Sequence, residues 1–258
     1  MKKKLNNVLI PTPHGLMVVN RNEAAFSFGV GVALLEEGGY DPREIGFVRD
    51  IVNLLPPGCV VLDVGANIGV HTLEFARACE AKGGIVHAFE PQRILFQMLA
   101  GNVALNSYQN VHCHLAAVSS KLGQLSMPAI DYSVPSSFSG IELGQGRQNE
   151  NIGQLPKWDQ SQETVPLITL DSLDLPRVDF MKIDVEGMEI DVLEGARNLI
   201  TKFRPPIYLE YAKNDSENLA KLLRELGYTI FVFSRLDWIA VPRENSTIQI
   251  TGLATFDV

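Results

Sequence analysis

Between Val60 and Ser234 the chain alternates short β-branched apolar runs with stretches of helical periodicity. "CVVLDV" precedes "VHTLEFARACEA", "GIVHAFE" precedes "QRILFQMLAGNVALN", and a third apolar run, "VHCHLAAV", follows. After a long irregular stretch, "VDFMKIDV", "MEIDVLEGARNLI", "PPIYLEY", "SENLAKLLRELG" and "YTIFVFS" read as strand, helix, strand, helix and strand. Continuous apolar runs of strand length belong to strands buried on both faces, and helical crossovers supply the covering layers. The pattern predicts a mostly parallel sheet with helices on both faces. Such sheets bind ligands beyond the carboxyl ends of their strands, so residues just after each strand are the candidates.

A chain of 258 residues is expected to form one large domain, here residues 41–258, with an N-terminal extension, residues 1–40, packing on it. Within the extension, "GLMVVN" and "FSFGVGVALL" are expected as short strands. The next unit, "DPREIGFVRDIVNLLPPG", is helical: Asp41 is placed to cap it, Pro42 to open it, and Pro56-Pro57-Gly58 to end it. Ile45, Val48, Ile51, Val52 and Leu55 recur along it at helical spacing. Residues at about 120–168 break the rhythm, being rich in Gly, Ser, Gln, Asn and Pro. They are expected to form an insertion or lid, flanked by short strands in "GQLSMPAI" and "ETVPLITL".

A net charge of −8 argues against a nucleic-acid groove, and Lys2-Lys3-Lys4 reads as a solvated tail. The longest nearly apolar stretch, Phe26 to Leu35, is about half the ~20 residues a membrane-spanning helix needs. Only Val8-Leu9-Ile10 follow the basic head before a proline, too little for a signal peptide. Cys59, Cys79 and Cys113 are an odd count without metal-like spacing, expected as buried free thiols in a cytoplasmic protein. His112 and His114 share one strand face but have no third ligand nearby in sequence.

The chemistry concentrates in "VLDVGANIGVHTLEFAR". The strand ends at Asp63-Val64, and Gly65-Ala66-Asn67-Ile68-Gly69 turns into a helix. Glycines at 65 and 69 allow a cramped turn and a close backbone approach by a ligand, and the helix start offers free N–H groups to an anion. A dinucleotide fingerprint needs a glycine where Asn67 stands, and a P-loop needs a Lys-Ser or Lys-Thr that is missing. Asp63 would repel pyrophosphate but accept hydrogen bonds from an amine. The pattern thus suits a ligand tail with an α-amino and an α-carboxylate group. At the end of the next strand, Glu90, followed by Pro91, occupies the position that takes the two hydroxyls of a ribose. An amino acid at one end and a ribose at the other describe S-adenosylmethionine. Helix capping is the competing reading for both acids.

"VLDVGANIGVHTLEFA", "VHAFEPQ", "LAGNVALN", "AAVS", "TLDSL" and "VDFMKIDVEGMEIDVLEGA", in this order, resemble the FkbM-type S-adenosylmethionine-dependent methyltransferases over about residues 37 to 212. The resemblance implies a class I methyltransferase, Rossmann-like sheet of seven strands, mostly parallel with the last antiparallel. It implies cofactor contacts at Asp63, Gly65, Ala66, Asn67, Gly69 and Glu90, with Thr72 toward the carboxylate and Ala117 beside the adenine. His71 departs from the aromatic residue expected there.

"FMKIDVEGME" ends the fourth strand and puts Asp184 where the reactive methyl should point. Asp184 is the first candidate for a catalytic base, with Glu210 (from "IYLEYAK") and Glu186 orienting the acceptor. Alternatively these carboxylates hold a divalent cation such as Mg²⁺. The expected activity is O-methylation of a small-molecule hydroxyl, on a sugar or a natural-product intermediate. The alternatives are a methyltransferase-like binding protein without catalysis, and a nicotinamide-dependent oxidoreductase, with which Asn67 and Asp63 conflict. Nothing in the sequence reads out the acceptor or the oligomeric state.

Overall fold

Parallel neighbours cannot be joined by a tight turn, so each apolar run needs a crossover, and the amphipathic segments supply it. The computed structural model describes residues 5–143, 151–160, 163–244 and 248–256. Lys2-Lys3-Lys4 and part of the insertion lie outside the described residues.

The strands are β1 (Asn7–Thr12), β2 (Gly15–Asn20), β3 (Val60–Val64), β4 (Ile85–Phe89), β5 (Val111–His114), β6 (Ala117–Val118) and β7 (Gly123–Met127). They continue with β8 (Glu163–Ile168), β9 (Phe180–Ile183), β10 (Ile207–Glu210), β11 (Tyr228–Val232), β12 (Asp237–Pro242) and β13 (Ala254–Thr255). The helices are α1 (Arg21–Ala24), α2 (Val30–Val32), α3 (Pro42–Leu54), α4 (Val70–Glu80) and α5 (Arg93–Leu105). Beyond the insertion come α6 (Glu189–Glu194), α7 (Arg197–Phe203) and α8 (Ser216–Glu225).

The main sheet has the order β13-β11-β12-β10-β9-β3-β4-β5. Strands β5, β4, β3, β9 and β10 run parallel, and β12 lies antiparallel between β10 and β11. This is the class I methyltransferase arrangement, with the two-residue β13 added at one edge. Alternation along the strands feeds two cores. Leu62, Val64, Met181 and Leu209 pack under α6, α7 and α8, while Val61, Phe180 and Tyr208 pack under α3 and α4. Asp63 and Lys182 fall on the second face, directly opposite each other in the β3–β9 register. The α3 cap is as expected, Asp41 Oδ1 accepting from the N–H groups of Arg43 and Glu44 at 2.9 and 3.0 Å.

The β1–β2 hairpin packs on α5, whose asparagines substitute for a neighbouring strand. Asn102 Oδ1 accepts from Val18 N at 2.6 Å, and Asn106 exchanges bonds with Leu16 N and O at 2.9 and 2.8 Å. Strands β7 and β8 of the insertion join β6 in a separate small sheet of order β6-β8-β7. Cys59 and Cys79 are buried free thiols with sulfurs 3.6 Å apart, and Cys113 is a partly buried free thiol.

Three local expectations are corrected. "FSFGVGVALL" is not a strand: it forms α2 and a π-helical turn at Ala33–Glu37, because a short apolar run fits either state and here no sheet edge receives it. "VHCHLAAV" is not one strand, since a tight turn (Ala116 N to His114 O, 3.0 Å) sends β6 to pair with β8. The helix over "MEIDVLEGARNLI" breaks at Gly195, whose backbone is packed so closely on Ser119 that a Cβ there would lie 2.0 Å from its carbonyl oxygen. Strand β12 was not anticipated from the local pattern.

Candidate active site

At the carboxyl ends of β3, β4, β9 and β10 lies a cavity of ≈ 470 Å³. Of the sequence candidates it brings together Gly65, Ala66, Asn67, Glu90, Pro91, Ala117, Asp184, Glu186 and Glu210. Asp63, Gly69 and Thr72 are not part of its wall.

The turn after β3 is cramped for an internal reason. Gly65 has φ +84, and a Cβ there would fall 1.7 Å from the Asp184 carbonyl oxygen, so what comes close to its backbone is the end of β9. Gly69, at φ +96, is pressed instead against Leu99 of α5, whose Cδ1 would be 2.7 Å from an added Cβ. Asn67 takes the left-handed region between them at φ +52, which asparagine tolerates better than most residues. Phe89 O accepts from Gly65 N and Ala66 N at 3.0 and 2.9 Å, tying the turn to the end of β4.

Glu90 is fixed by two backbone donors: Asn67 N to Oε2 at 2.9 Å and Gln92 N to Oε1 at 2.8 Å. Its carboxylate still faces the cavity, and burial pushes its pKa up to about 7. Each carboxylate oxygen has a second lone pair left for a ligand hydroxyl.

Asp63 lies beneath the cavity wall rather than in it. It is 0% exposed; the Thr72 hydroxyl donates to its Oδ2 at 2.5 Å, and the Lys182 ammonium stands 3.8 Å from its Oδ1. Neither oxygen is exposed, and Oδ1 has no hydrogen-bond partner among the described residues. Thr72, also 0% exposed, is committed to Asp63 and leaves nothing for a carboxylate. The cause is the sheet register, which places a lysine beside the aspartate. Lys182 itself lines the cavity and donates to Gly65 O and to Asp184 Oδ2, both at 3.1 Å. Burial opposes its charge, but the carboxylates of Asp184 and Asp63 win and hold the ammonium above the ordinary lysine range. A lysine inside a buried strand, "FMKIDV", was the overlooked signal, because lysine is almost never fully buried unless paired.

Asp184, Glu186, Glu210 and Lys213 also line the cavity, together with Tyr40, His71, Phe28 and Leu236. Asp184 keeps 38% of its side chain exposed. Glu186 sits at φ +57, an unusual conformation for a glutamate, and pairs with Lys213. Burial first, and the Asp184 charge second, raise Glu186 to about 8 and Glu210 to about 9. Glu189 is taken up structurally, with Oε1 accepting from Val185 N at 2.8 Å and Oε2 from Asn214 Nδ2 at 2.5 Å. His71 Nε2 stands 2.9 Å from Glu44 Oε1.

Among the described residues no group of three or more His, Cys, Asp or Glu side chains is arranged to hold a metal ion, so the divalent-cation alternative has no support. Near the cavity, Lys182 and Lys213 already neutralise Asp184 and Glu186. The third imidazole missing from the sequence reading of His112 and His114 is His87 of β4. Its Nδ1 meets His114 Nε2 at 3.0 Å, and its ring stacks on His112. Burial, then the two neighbouring rings, push His87 down to about 4.

Residues 63–230 match the family model of the methyltransferase FkbM domain. The chain belongs to the FkbM methyltransferase family. It is 29% identical over 167 residues to Methyltransferase sdnD of Sordaria araneosa, covering 57% of this chain and 63% of that protein. It is 32% identical over 197 residues to 31-O-demethyl-FK506 methyltransferase FkbM of Streptomyces tacrolimicus, covering 68% of this chain and 75% of that one. It is 28% identical over 191 residues to Hexuronic acid methyltransferase AglP of Haloferax volcanii, covering 71% of this chain and 70% of that one. The FkbM model begins at the Asp63 turn and takes in both carboxylate-bearing strand ends, β9 and β10. Among the described residues no helix is long and apolar enough to cross a membrane.

Proposed function

We propose that this FkbM-family protein transfers a methyl group from S-adenosylmethionine to a hydroxyl of a small molecule, a sugar or natural-product intermediate. The observation that carries the cofactor reading is Glu90: a buried carboxylate, fixed by two N–H donors at the end of the second parallel strand, open only toward the cavity. The residues fit the group. Pro91, Ala117, Val118, Ile141 and Leu143 offer an apolar slot for an adenine, and Glu90 offers acceptors for ribose hydroxyls. The start of α4, where Val70 and His71 reach the cavity wall, offers backbone N–H groups for a carboxylate. When bound, S-adenosylmethionine supplies a methyl group on a positively charged sulfur.

The remaining work belongs to this chain's side chains. Asp184, pinned by Lys182 and open to the cavity, is the proposed base for the acceptor hydroxyl. Glu210 keeps its proton at neutral pH and orients the acceptor as a hydrogen-bond donor, while Glu186, paired with Lys213, orients it as a hydrogen-bond acceptor. The names of the relatives, an O-demethyl-FK506 methyltransferase and a hexuronic acid methyltransferase, support a hydroxyl on a natural product or sugar as acceptor. The net charge of −8 supports an acceptor other than nucleic acid, and the free thiols support a reducing, cytoplasmic setting.

Titration calorimetry should show S-adenosylhomocysteine binding and NAD failing to bind; the reverse sinks the proposal. Glu90→Gln should weaken the binding about tenfold or more, the scale of a charge-assisted hydrogen bond. Ligand hydroxyls favour ionised Glu90, so affinity should rise with pH through about 7 and flatten in Glu90→Gln. For folding the sense is opposite. A carboxyl raised from 4.5 to about 7 contributes stability that is full below 4.5 and is lost as pH rises through 7.

For catalysis, Asp184→Asn should abolish turnover while S-adenosylhomocysteine binds within a few-fold of wild type. Turnover that climbs through pH 9 and survives Asp184→Asn would transfer the role of base to Glu210.

A further inference from the structure

The cavity wall includes two segments that belong to neither the sheet nor its crossover helices. One is Phe28, Gly29 and Val30 of the N-terminal extension; the other is Ser139, Gly140 and Ile141 of the insertion. A single buried side chain touches the backbone of both. Glu23, 2% exposed, accepts from Gly31 N through Oε2 at 3.0 Å and from Phe138 N through Oε1 at 3.3 Å.

The packing around it is built for this contact. A Cβ at Gly31 would lie 2.6 Å from Glu23 Oε2, and one at Gly29 would lie 2.8 Å from Oε1, so glycines allow the chain to wrap the carboxylate. The insertion side is anchored independently: Gln92 Nε2 donates to Phe138 O at 2.9 Å, and Ser136 Oγ donates to Ile152 O at 2.6 Å. Asn20 and Asn22 both donate to Tyr132 O, at 2.9 and 3.0 Å, so the whole stretch around Glu23 is aligned on the insertion. Among the described residues no charged group compensates the carboxylate; its burial is opposed by the two N–H groups. An apolar residue would fill the same space without that cost, and what it would lack is the pair of acceptors.

We propose that Glu23 is a positioning residue for ligand binding: its carboxylate holds the Gly29–Gly31 backbone against the Phe138–Ile141 strip and thereby sets the spacing of these two segments in the cavity wall. The ligand used to probe it, S-adenosylhomocysteine, rests on the function proposed above; the contact between the two segments does not.

The test compares the full chain with Glu23→Gln by hydrogen–deuterium exchange and S-adenosylhomocysteine titration. Glutamine keeps the size and burial but has one acceptor oxygen in place of two. The expected result is faster exchange by about tenfold in residues 28–32, 136–141 or both, with β3 and α4 unchanged, and affinity lowered about tenfold. Gly31→Ala, which pushes on the same carboxylate from outside, should reproduce the pattern if Glu23→Gln folds poorly. Wild-type exchange in both segments overturns the proposal, and so does faster exchange with unchanged affinity. If the wild-type chain binds no S-adenosylhomocysteine, the cofactor reading falls, while the exchange arm still decides whether Glu23 joins the two segments.

Discussion

Gly65→Ala is expected to give a chain that loses S-adenosylhomocysteine binding and at least ~4 kcal/mol of stability, the range reserved for severe backbone or core damage. Two effects combine. At φ +84 any side chain pays the left-handed penalty, ~1–2 kcal/mol for an L-residue. The larger effect is steric: the new methyl would sit 1.7 Å from the Asp184 carbonyl oxygen, an atom of the backbone that no rotamer change can move. Either β3 and β9 separate at their carboxyl ends or the turn swings away, and in both cases the cavity floor is lost. Gly83→Ala is the control, because Gly83 has φ +64 and open space around it, so only the conformational penalty remains. Urea midpoints of the two variants separate the effects. A Gly65→Ala protein as stable as Gly83→Ala would contradict the packing argument.

Lys182→Met should have the second-largest effect. The substitution keeps an unbranched side chain but leaves Asp63, 0% exposed, without its cation, and frees Asp184. Removing one partner of a buried ion pair costs ~3–5 kcal/mol, because the remaining charge stays uncompensated. The double variant Lys182→Met, Asp63→Asn should recover much of that loss, and a double-mutant cycle on urea midpoints measures the coupling. Recovered stability should not bring recovered turnover, since Asp184 remains unpinned. Additive losses in the cycle would mean that Lys182 and Asp63 are not energetically coupled.

The parallel sheet, the α3 helix with its Asp41 cap and the strand-end location of the candidates were legible in the sequence, because each depends on local periodicity or on capping chemistry. Asp63 shows where that reading stops. Its place at a strand end was plain, but its partner is Lys182, far along the chain, and only the β3–β9 register brings them together. The same holds for Gly65, whose glycine requirement looked like room for a ligand and is contact with Asp184. The break inside "VHCHLAAV" was hidden because β6 belongs to another sheet, and its apolar residues satisfy either pairing. Glu23 carries no motif at all; nothing local marks a glutamate whose partners are backbone amides of two distant loops.

The antiparallel strand β12 lies between β10 and β11, yet it is made after both. On a ribosome, β10 therefore waits beside the finished half of the sheet with one row of backbone donors and acceptors bare, and β11 has no place to dock. Trp238, Ile239 and Ala240, all fully buried in the finished protein, are the residues that fill this gap. The sheet is closed from within by a wedge made after both its neighbours, so the nascent chain keeps an adhesive edge until Pro242 has left the exit tunnel.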